Sequence, residues 1–318
     1  MKQRCVILDD YQNAALVHAD WSVLADQLDV VVIDRHLDRE ALVEALAGAA
    51  VVVAMRERTP FPAELFARLP QLRLLVTSGM RNAAIDLAAA KAHGVTVCGT
   101  GSASEPPVEL TWALILGLAR HLVAENAALR ANGPWQGSVG ADLAGRTLGL
   151  VGLGKIGAKV AAVGTAFGMR VLAWSPNLTP ERAAAAGVGF ASSKRALFEA
   201  SDVVSVHLVL SGTTRGLVGA GEFAAMRRDA FFINTSRAAI VDEGALIDAL
   251  ERRRIAGAGL DVFEVEPLPA DHALRRLPNV LATPHLGYVT ARNYRTYFSE
   301  AVEDIAAWLD GAPVRVLA

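Results

Sequence analysis

The sequence predicts an α/β protein that contains two doubly wound parallel sheets. Short runs rich in Val, Ile and Leu alternate with Ala- and Leu-rich helical stretches along most of the chain. This alternation is typical of parallel strands connected by helices. The runs fall into two series on either side of a long helical segment, and a glycine-rich turn opens the second series. We therefore expect each series to form its own sheet.

Each expected strand is a short apolar run that ends in polar or small residues. The first series consists of "RCVILDD", "DVVVIDR", "AAVVVAM", "LRLLVTSG" and "VTVCGTG". The second consists of "RTLGLVGLG", "MRVLAWS", "DVVSVHLVL", "AFFINTS", "IAGAGLDVF" and "NVLATPH". The tail "TARNYRTYFSEAVEDIAAWLDG" is amphipathic, so we expect a helix that returns to the first unit.

The segment between the two series, "SEPPVELTWALILGLARHLVAENAALRANGPW", predicts one long helix followed by an extended connection. Glu105 and the two prolines after it are suited to a helix start, and Gly133-Pro134 is suited to its end. We expect this segment to act as the hinge between the two units.

Composition limits the function classes. The 318 residues include 31 basic and 33 acidic side chains, with a formal net charge of -2, so no basic surface for nucleic acid is expected. Only Cys5 and Cys98 are present, which argues against a disulfide framework or a cysteine-rich metal site. We predict no metal, no secretion, no membrane insertion and a cytoplasmic location, because neither a signal sequence nor a run of roughly 18 uncharged residues is found.

The stretch "LVGLGKIG" predicts a dinucleotide site. Gly152, Gly154 and Gly157 follow an apolar strand and precede a helix, an order in which the three glycines allow a tight turn, close approach of pyrophosphate and helix packing. Lys155 and Ile156 begin that helix, whose N-terminus would face the phosphates. The alternative is a packing turn that binds no ligand.

Ser175 occupies the end of the next strand, in "VLAWSPNL", where an acidic side chain would bind the adenosine ribose of NAD. Without that carboxylate the 2′-phosphate of NADP is not repelled, but no arginine is adjacent and Arg182 is several residues away. The choice between NAD and NADP is therefore left open.

Three charged residues of the second series each follow a strand-like run: Arg237, Glu266 and His285. Singly they have ordinary explanations, as a surface arginine, a solvated glutamate and a loop histidine. Together they form an acid/base unit, because a carboxylate stabilises a protonated imidazole and a guanidinium binds a carboxylate. Hydride transfer to a 2-keto acid requires these groups.

The sequence resembles the D-isomer-specific 2-hydroxyacid dehydrogenases over nearly its whole length. The segments that carry this resemblance are "GLGKIGAKVAAVGTAFGMRVLAWSP", "INTSRAAIVDEGALIDAL", "GAGLDVFEVEPLP" and "ATPHLGY". The resemblance implies a flavodoxin-like substrate domain over residues 1–100 plus 286–318 and a Rossmann NAD(P)-binding domain over residues 101–285, with a cleft between them. It also implies a homodimer, formed chiefly through the second domain and residues 125–145, which include Trp135.

By the same resemblance, Arg237 binds the carboxylate and carbonyl of a 2-keto acid, His285 exchanges a proton with the substrate oxygen, and Glu266 keeps the imidazole protonated. Hydride then passes between NAD(P)H and the 2-keto acid or D-2-hydroxy acid. The residues implied near the cofactor are Asp261, at the nicotinamide carboxamide, and His207, Thr235 and Ser236. Asp261 and His207 also have ordinary explanations as strand-end residues.

The sequence departs from the family in the first domain. The family has a small glycine-rich turn that holds the substrate carboxylate, but the turn here, "TSGMRNAAID", keeps Gly79 beside the bulky Met80 and Arg81. Arg81 is predicted to be a second carboxylate clamp, with an exposed turn residue as the alternative. In the loop "MRERTP", Arg56 and Arg58 are further candidates, with solvation as the alternative.

A different function class remains open, because C-terminal-binding transcriptional corepressors share the fold and the three charged residues. A corepressor-like protein would sense nucleotides and assemble without turnover. A formate dehydrogenase is a weaker alternative, since formate offers no keto oxygen for the Glu–His pair to protonate.

Overall fold

The computed structural model describes residues 2–318, which form two compact units. Unit 1 consists of the chain up to Ala103 together with Val289–Ala318, and unit 2 consists of Ser104–Tyr288. The units contain parallel sheets of five and seven strands, so the predicted fold class is confirmed.

Unit 1 has a five-stranded sheet in the order β2-β1-β3-β4-β5, with every neighbouring pair parallel. This is a doubly wound order, which places helices on both faces of the sheet. Its strands are β1 (Gln3–Ile7), β2 (Leu28–Val32), β3 (Ala49–Ala54), β4 (Leu74–Thr77) and β5 (Thr96–Gly99). Its helices are α1 (Ala15–His18), α2 (Arg39–Ala45), α3 (Ala63–Ala67), α4 (Leu87–Ala92) and α12 (Ala291–Leu309).

The central strands of unit 1 are buried on both faces, as expected for a parallel sheet covered by helices. The chain end adds to β5, where Cys98 pairs with Val316 in an antiparallel bridge. Arg315 anchors this end by donating from Nε to Asp304 Oδ1 of α12 at 2.8 Å. Asp304 is fully buried, and burial raises its pKa to about 6.

Unit 2 has a seven-stranded sheet in the order β12-β11-β10-β9-β6-β7-β8. Its strands are β6 (Thr147–Val151), β7 (Arg170–Trp174), β8 (Gly189–Phe190), β9 (Val203–Val206), β10 (Phe231–Asn234), β11 (Gly257–Leu260) and β12 (Val280–Ala282). The strand runs expected from the sequence are all present. The two-residue edge strand β8 was not predicted, because it is too short to show a period.

The helices of unit 2 are α5 (Glu105–Ala119), α6 (Leu122–Arg130), α7 (Lys155–Ala166), α8 (Pro180–Ala185), α9 (Lys194–Ala200), α10 (Ala220–Ala225) and α11 (Glu243–Glu251). The prediction of one long helix at the start of this unit is wrong, because the chain bends by 63° between α5 and α6. His121 adopts a left-handed conformation there, with φ 51°. The carbonyl of Ala119 accepts from Ala141 N at 2.7 Å, and this bond to the returning chain replaces helix continuation.

Among residues 2–318, no single helix is both long enough and apolar enough to cross a membrane. The bent pair α5 and α6 passes that test by length and composition only. Nine residues of α5 are buried in unit 2.

Candidate active site

Most of the cofactor and catalytic residues predicted from the sequence lie at the carboxyl edge of the unit 2 sheet. The residue that directly follows each of six strands is Gly152 after β6, Ser175 after β7, His207 after β9, Thr235 after β10, Asp261 after β11 and Thr283 after β12. Because the strands are parallel neighbours, their ends share one edge, which is where open α/β sheets bind ligands.

The glycine turn has the geometry of a phosphate cradle. Gly152 has φ 111°, and an added Cβ would lie 2.6 Å from the carbonyl oxygen of His207. At Gly157 an added Cβ would lie 2.2 Å from the Gly152 carbonyl oxygen, so this glycine permits helix packing. At Gly154 no atom lies within 4 Å of the Cβ position.

Gly154 is also the N-cap of α7, and no side chain caps that helix. The first-turn N–H groups, including those of Lys155 and Ile156, therefore face an open space that suits an anion. These observations fit a dinucleotide pyrophosphate.

Ser175 lies beside this cradle, because Gly152 N donates to the carbonyl oxygen of Trp174 at 2.8 Å. No acidic group replaces the missing carboxylate at residues 175–178. Arg182 Nη1 donates to the carbonyl oxygen of Asn177 at 3.0 Å, so its guanidinium folds back over the loop that follows Ser175. Sequence spacing alone did not show this approach.

His285 and Glu266 form a direct pair, with 2.7 Å between Nδ1 and Oε2. The other oxygen of Glu266 accepts from the backbone N–H of Phe263 at 2.9 Å, which fixes the carboxylate. Both side chains are partly exposed, at 16% for His285 and 27% for Glu266. Nε2 of His285 makes no hydrogen bond with any residue in the described range 2–318. The imidazole is thus oriented from one side and open on the other.

Asp261 holds the loop that carries His285. Its Oδ1 accepts from Thr283 Oγ1 at 2.6 Å and from Leu286 N at 2.7 Å, and its Oδ2 accepts from Gly287 N at 2.8 Å. The carboxylate is fully buried, and burial raises its pKa. His285 itself has φ 52°, an uncommon conformation for histidine that these bonds on both sides maintain. Three internal bonds leave little acceptor capacity for a nicotinamide carboxamide.

Arg237 ends a turn that a buried asparagine braces. Asn234 Oδ1 accepts from Ser236 N at 3.0 Å, and Asn234 Nδ2 donates to the carbonyl oxygen of Arg237 at 3.1 Å. The guanidinium of Arg237 donates from Nη1 to the carbonyl oxygen of Ser236 at 2.7 Å and is partly exposed. The arginine is therefore held by its own turn.

The other predicted cofactor residues are packed beside these elements. His207 pairs through Nε2 with Ser205 Oγ at 2.8 Å, and burial lowers its pKa to about 4, so it is neutral. Thr235 Oγ1 lies 2.8 Å from Thr111 Oγ1, and Ser236 Oγ donates to the carbonyl oxygen of Leu208 at 2.5 Å. Within the described residues, no group of three or more potential metal ligands is present.

The predicted substrate residues Gly79, Met80, Arg81 and Arg56 lie in unit 1, after β4 and β3. Gly79 has φ 89°, and a Cβ there would lie 2.1 Å from Arg56 Nη1. Arg56 Nη1 donates to the carbonyl oxygen of Ser78 at 3.2 Å. Met80 is 46% exposed, and the exposed Arg81 makes no hydrogen bond or ion pair with any residue from 2 to 318.

Arg58, the other arginine of that loop, is held within unit 1. Its Nη1 donates to the carbonyl oxygen of Asp9 at 2.5 Å, and its guanidinium lies 4.4 Å from the ring centroid of Tyr11. These contacts give Arg58 a structural role.

Comparisons with known proteins agree with this geometry. Residues 112–287, all in unit 2, match the family model described as D-isomer specific 2-hydroxyacid dehydrogenase, NAD binding domain. Hydroxypyruvate reductase of Thermotoga maritima is 34% identical over 289 residues, which cover 89% of this chain and 92% of that protein. The chain belongs to the D-isomer-specific 2-hydroxyacid dehydrogenase family.

Other members of the family support the same assignment. D-3-phosphoglycerate dehydrogenase of Bacillus subtilis is 37% identical over 263 residues, which cover 82% of this chain but only 50% of that protein. The present chain thus spans about half the length of that relative. The crystal structure of phosphoglycerate oxidoreductase from Vibrio cholerae is 38% identical, with a TM-score of 0.92 over 98% of this chain and 100% of that one.

The predicted family and the prediction of a nicotinamide nucleotide cofactor are confirmed, with the choice between NAD and NADP open. Sequence reasoning missed three residues that shape this edge: Asn234, Thr283 and Tyr288. Asn234 had a usable signal, since asparagine at the end of a strand favours a turn held by its side chain. The Tyr288 ring packs edge-on against His285, with centroids 5.2 Å apart, and no local pattern indicates that contact.

Proposed function

We propose that the protein reduces 2-keto acids to D-2-hydroxy acids, and catalyses the reverse oxidation, with NAD or NADP as cofactor. The His285–Glu266 pair with an open Nε2 carries this proposal. A bound nicotinamide nucleotide supplies or accepts the hydride. The named relatives are dehydrogenases and reductases, which favours turnover over the corepressor-like alternative.

The protein's own residues supply the proton and the anchoring charge. His285 donates from Nε2 to the substrate oxygen during reduction and takes the proton back during oxidation. Glu266 orients the imidazole through Nδ1 and stabilises its charged form. Arg237 binds the substrate carboxylate and polarises the neighbouring carbonyl. Asp261 positions the His285 loop, a role that we assign in place of direct contact with the nicotinamide.

The cofactor is held by the glycine turn and the first turn of α7. The N–H groups at Gly154, Lys155 and Ile156 would hold the pyrophosphate, because Gly154 leaves that space open. Thr235, Ser236 and His207 line the nicotinamide side, and Ser175 lies at the adenosine ribose. In unit 1, Gly79, Met80, Arg81 and Arg56 are proposed to contact the substrate.

The test is a panel of keto acids with both cofactors. Glyoxylate, hydroxypyruvate, pyruvate and a bulkier 2-keto acid are each assayed for oxidation of NADH and NADPH. Turnover of at least one acid is expected. Binding of NADH or NADPH without turnover of any acid, together with nucleotide-dependent oligomerisation, would instead support the corepressor-like function.

Cofactor choice is tested at Ser175. With serine there, discrimination between NADH and NADPH is expected to be modest. Ser175→Asp adds a charged acceptor for the ribose and repels a 2′-phosphate, together about 1.5–3 kcal/mol, so the ratio of kcat/KM values shifts toward NADH by roughly 10- to 100-fold. Arg195→Ala, an exposed residue of α9, is the control. An unchanged ratio in Ser175→Asp would mean that another residue reads the ribose.

A homodimer is proposed through unit 2. The segment 125–145 exposes Trp135 at 80%, Val139 at 93% and Leu129 at 59%, an unusual amount of apolar surface for one connection. Light scattering at micromolar concentration is expected to give twice the chain mass. A Trp135→Ala variant is expected to shift the equilibrium toward monomer, and a wild-type monomer would contradict the proposal.

A further inference from the structure

The amino edge of the unit 2 sheet carries a pocket that the proposed reaction does not use. Two segments form it: the end of α10 with the turn before β10, and the end of α11 with the turn before β11. Ala256 N donates to the carbonyl oxygen of Ala230 at 2.9 Å and joins the two segments. Because these segments precede strands whose other ends carry Arg237 and Asp261, the pocket lies on the edge opposite the candidate active site.

Four arginines surround this pocket: Arg228, Arg252, Arg253 and Arg254. Asp248 pairs with two of the four: it is in contact with Arg252 Nε and lies 3.8 Å from Arg254 Nε. Arg228 and Arg253 make no hydrogen bond or ion pair through their side chains with any part of the chain that the structure describes. Two further carboxylates are adjacent to these arginines in sequence: Glu251, which pairs with none of the four, and Asp229, which pairs with Arg146 and Arg227.

Arginines near helix C-termini also interact favourably with the helix dipole, which is an alternative reason for arginines at this place. Each helix end amounts to about half a negative charge. Two helix ends, Asp248 and Glu251 together amount to roughly three negative charges against the four guanidinium groups, which leaves roughly one positive charge unbalanced. The dipole therefore accounts for only part of the cluster.

The backbone at the end of α11 concentrates these side chains. Arg253 has φ 53°, Arg254 N donates to the carbonyl oxygen of Ala249 at 2.9 Å, and Arg253 N donates to that of Leu250 at 3.2 Å. This is a helix end at which glycine is the usual residue, because side chains are disfavoured at positive φ. An arginine here brings three consecutive guanidinium groups to one pocket.

We propose that this pocket binds a small molecule with at least two phosphoryl groups. Its volume of about 360 Å³ lies at the lower end of the range for small-molecule sites, roughly 300–1,000 Å³. Guanidinium groups match phosphate oxygens with paired hydrogen bonds, and unpaired arginines have the most to gain from such a ligand. The site is separate from the cofactor cradle and does not depend on the proposed reaction.

The probe is inorganic tripolyphosphate, titrated calorimetrically into the full chain at low ionic strength. Saturating NAD⁺ is present so that the glycine turn does not bind the probe, and NAD⁺ binding is measured separately by protein fluorescence. Saturable binding is expected, with a dissociation constant of roughly 10–100 µM. Raising the salt concentration is expected to weaken it.

Two variants test the location. Arg228→Gln combined with Arg253→Gln is expected to weaken binding at least 10-fold, and because neither side chain has a protein partner the fold is retained, as circular dichroism would show. Arg276→Gln, an exposed arginine outside the pocket, is the matched control and is expected to change the constant less than 2-fold. The proposal is overturned if the wild type shows no saturable binding up to 1 mM, or if the control weakens binding as much as the double variant.

Discussion

The two units present contrasting residues at the carboxyl edges of their sheets. In unit 2, Asp261, Glu266 and Asn234 tie the loops after the strands with short hydrogen bonds, and His285 is held at positive φ. In unit 1, the turn after β4 exposes Met80, and Arg81 has no partner among the described residues. Both edges follow the same parallel-strand pattern and both turns are tied by hydrogen bonds, since Asn82 Nδ2 in unit 1 donates to the carbonyl oxygen of Arg56 at 2.7 Å. The difference is that the unit 1 turn leaves the side chains of Met80 and Arg81 exposed.

This difference matches the two roles proposed above, which are proton transfer for unit 2 and contact with the substrate for unit 1. Proton transfer requires a fixed geometry, and the buried polar groups of the unit 2 loops hold the proposed catalytic side chains in one orientation. The exposed side chains of the unit 1 turn, Met80 and Arg81, are the ones proposed to contact the substrate. The comparison predicts that substitutions in unit 2 mainly reduce turnover, whereas substitutions in the unit 1 turn mainly raise KM.

The largest effect is expected at His285. His285→Ala removes the proposed proton donor, and no described side chain lies within hydrogen-bond distance of its Nε2 to replace it, so kcat for reduction should fall roughly 100-fold or more. The control is His272→Ala, since His272 also pairs with a glutamate, at 3.1 Å from Glu243, but makes no hydrogen bond with His285 or Glu266. Near-normal reduction by His285→Ala would refute the mechanism.

Asp261→Asn tests the bracing itself. Asparagine replaces an acceptor oxygen with a donor NH₂, so at least one N–H or O–H of Thr283, Leu286 and Gly287 loses its partner, at a cost of about 1–3 kcal/mol. We expect kcat to fall roughly 10-fold or more and the amides of Leu286 and Gly287 to exchange hydrogen faster. If Asp261→Asn instead raises KM for the cofactor and leaves kcat and amide exchange unchanged, Asp261 contacts the nicotinamide, as the family resemblance implies.

Arg81→Ala should have a smaller effect of a different kind. Loss of the proposed carboxylate clamp is expected to raise KM for the keto acid about 3- to 10-fold, with kcat nearly unchanged. Arg73→Ala, a solvent-exposed arginine of the same unit, serves for comparison. An unaltered KM would make Arg81 an ordinary turn residue.

The smallest expected effect concerns stability and pH in unit 1. Burial raises the pKa of Asp304 from 3.8 to about 6, so this group favours folding below pH 4, and that contribution is lost as pH rises through 6. At pH 7, Asp304→Asn should therefore stabilise the protein by about 1–3 kcal/mol and flatten its stability between pH 4 and 6. Thermal unfolding at several pH values measures this.

Glu303→Gln is the matched control, because Glu303 pairs with the same arginine, at 2.9 Å from Arg315 Nη2, but is largely exposed. It should leave the midpoint of unfolding nearly unchanged. Equal effects of the two variants would mean that the surface charge, and not the burial of Asp304, sets the stability.

The sequence by itself determined the fold class, the strand runs and the residues that follow them. These features are local: a buried parallel strand is a short apolar run, and the residue after it lies at the sheet edge whatever the rest of the chain does. For that reason the local pattern alone identifies Gly152, Ser175, Arg237 and His285 as residues of that edge, and the family resemblance adds Asp261.

Only the tertiary structure decided which side chains bind one another. The break at His121 depends on a hydrogen bond between Ala119 and Ala141, 22 residues apart, and the helical pattern across it is unbroken. The three hydrogen-bond partners of Asp261 belong to a loop 22–26 residues further on, so no local pattern predicts them. The arginines before β10 and β11 line one pocket because these two strands are neighbours in the sheet. Neighbours in a folded sheet are set by strand order, and no local period in a sequence encodes strand order.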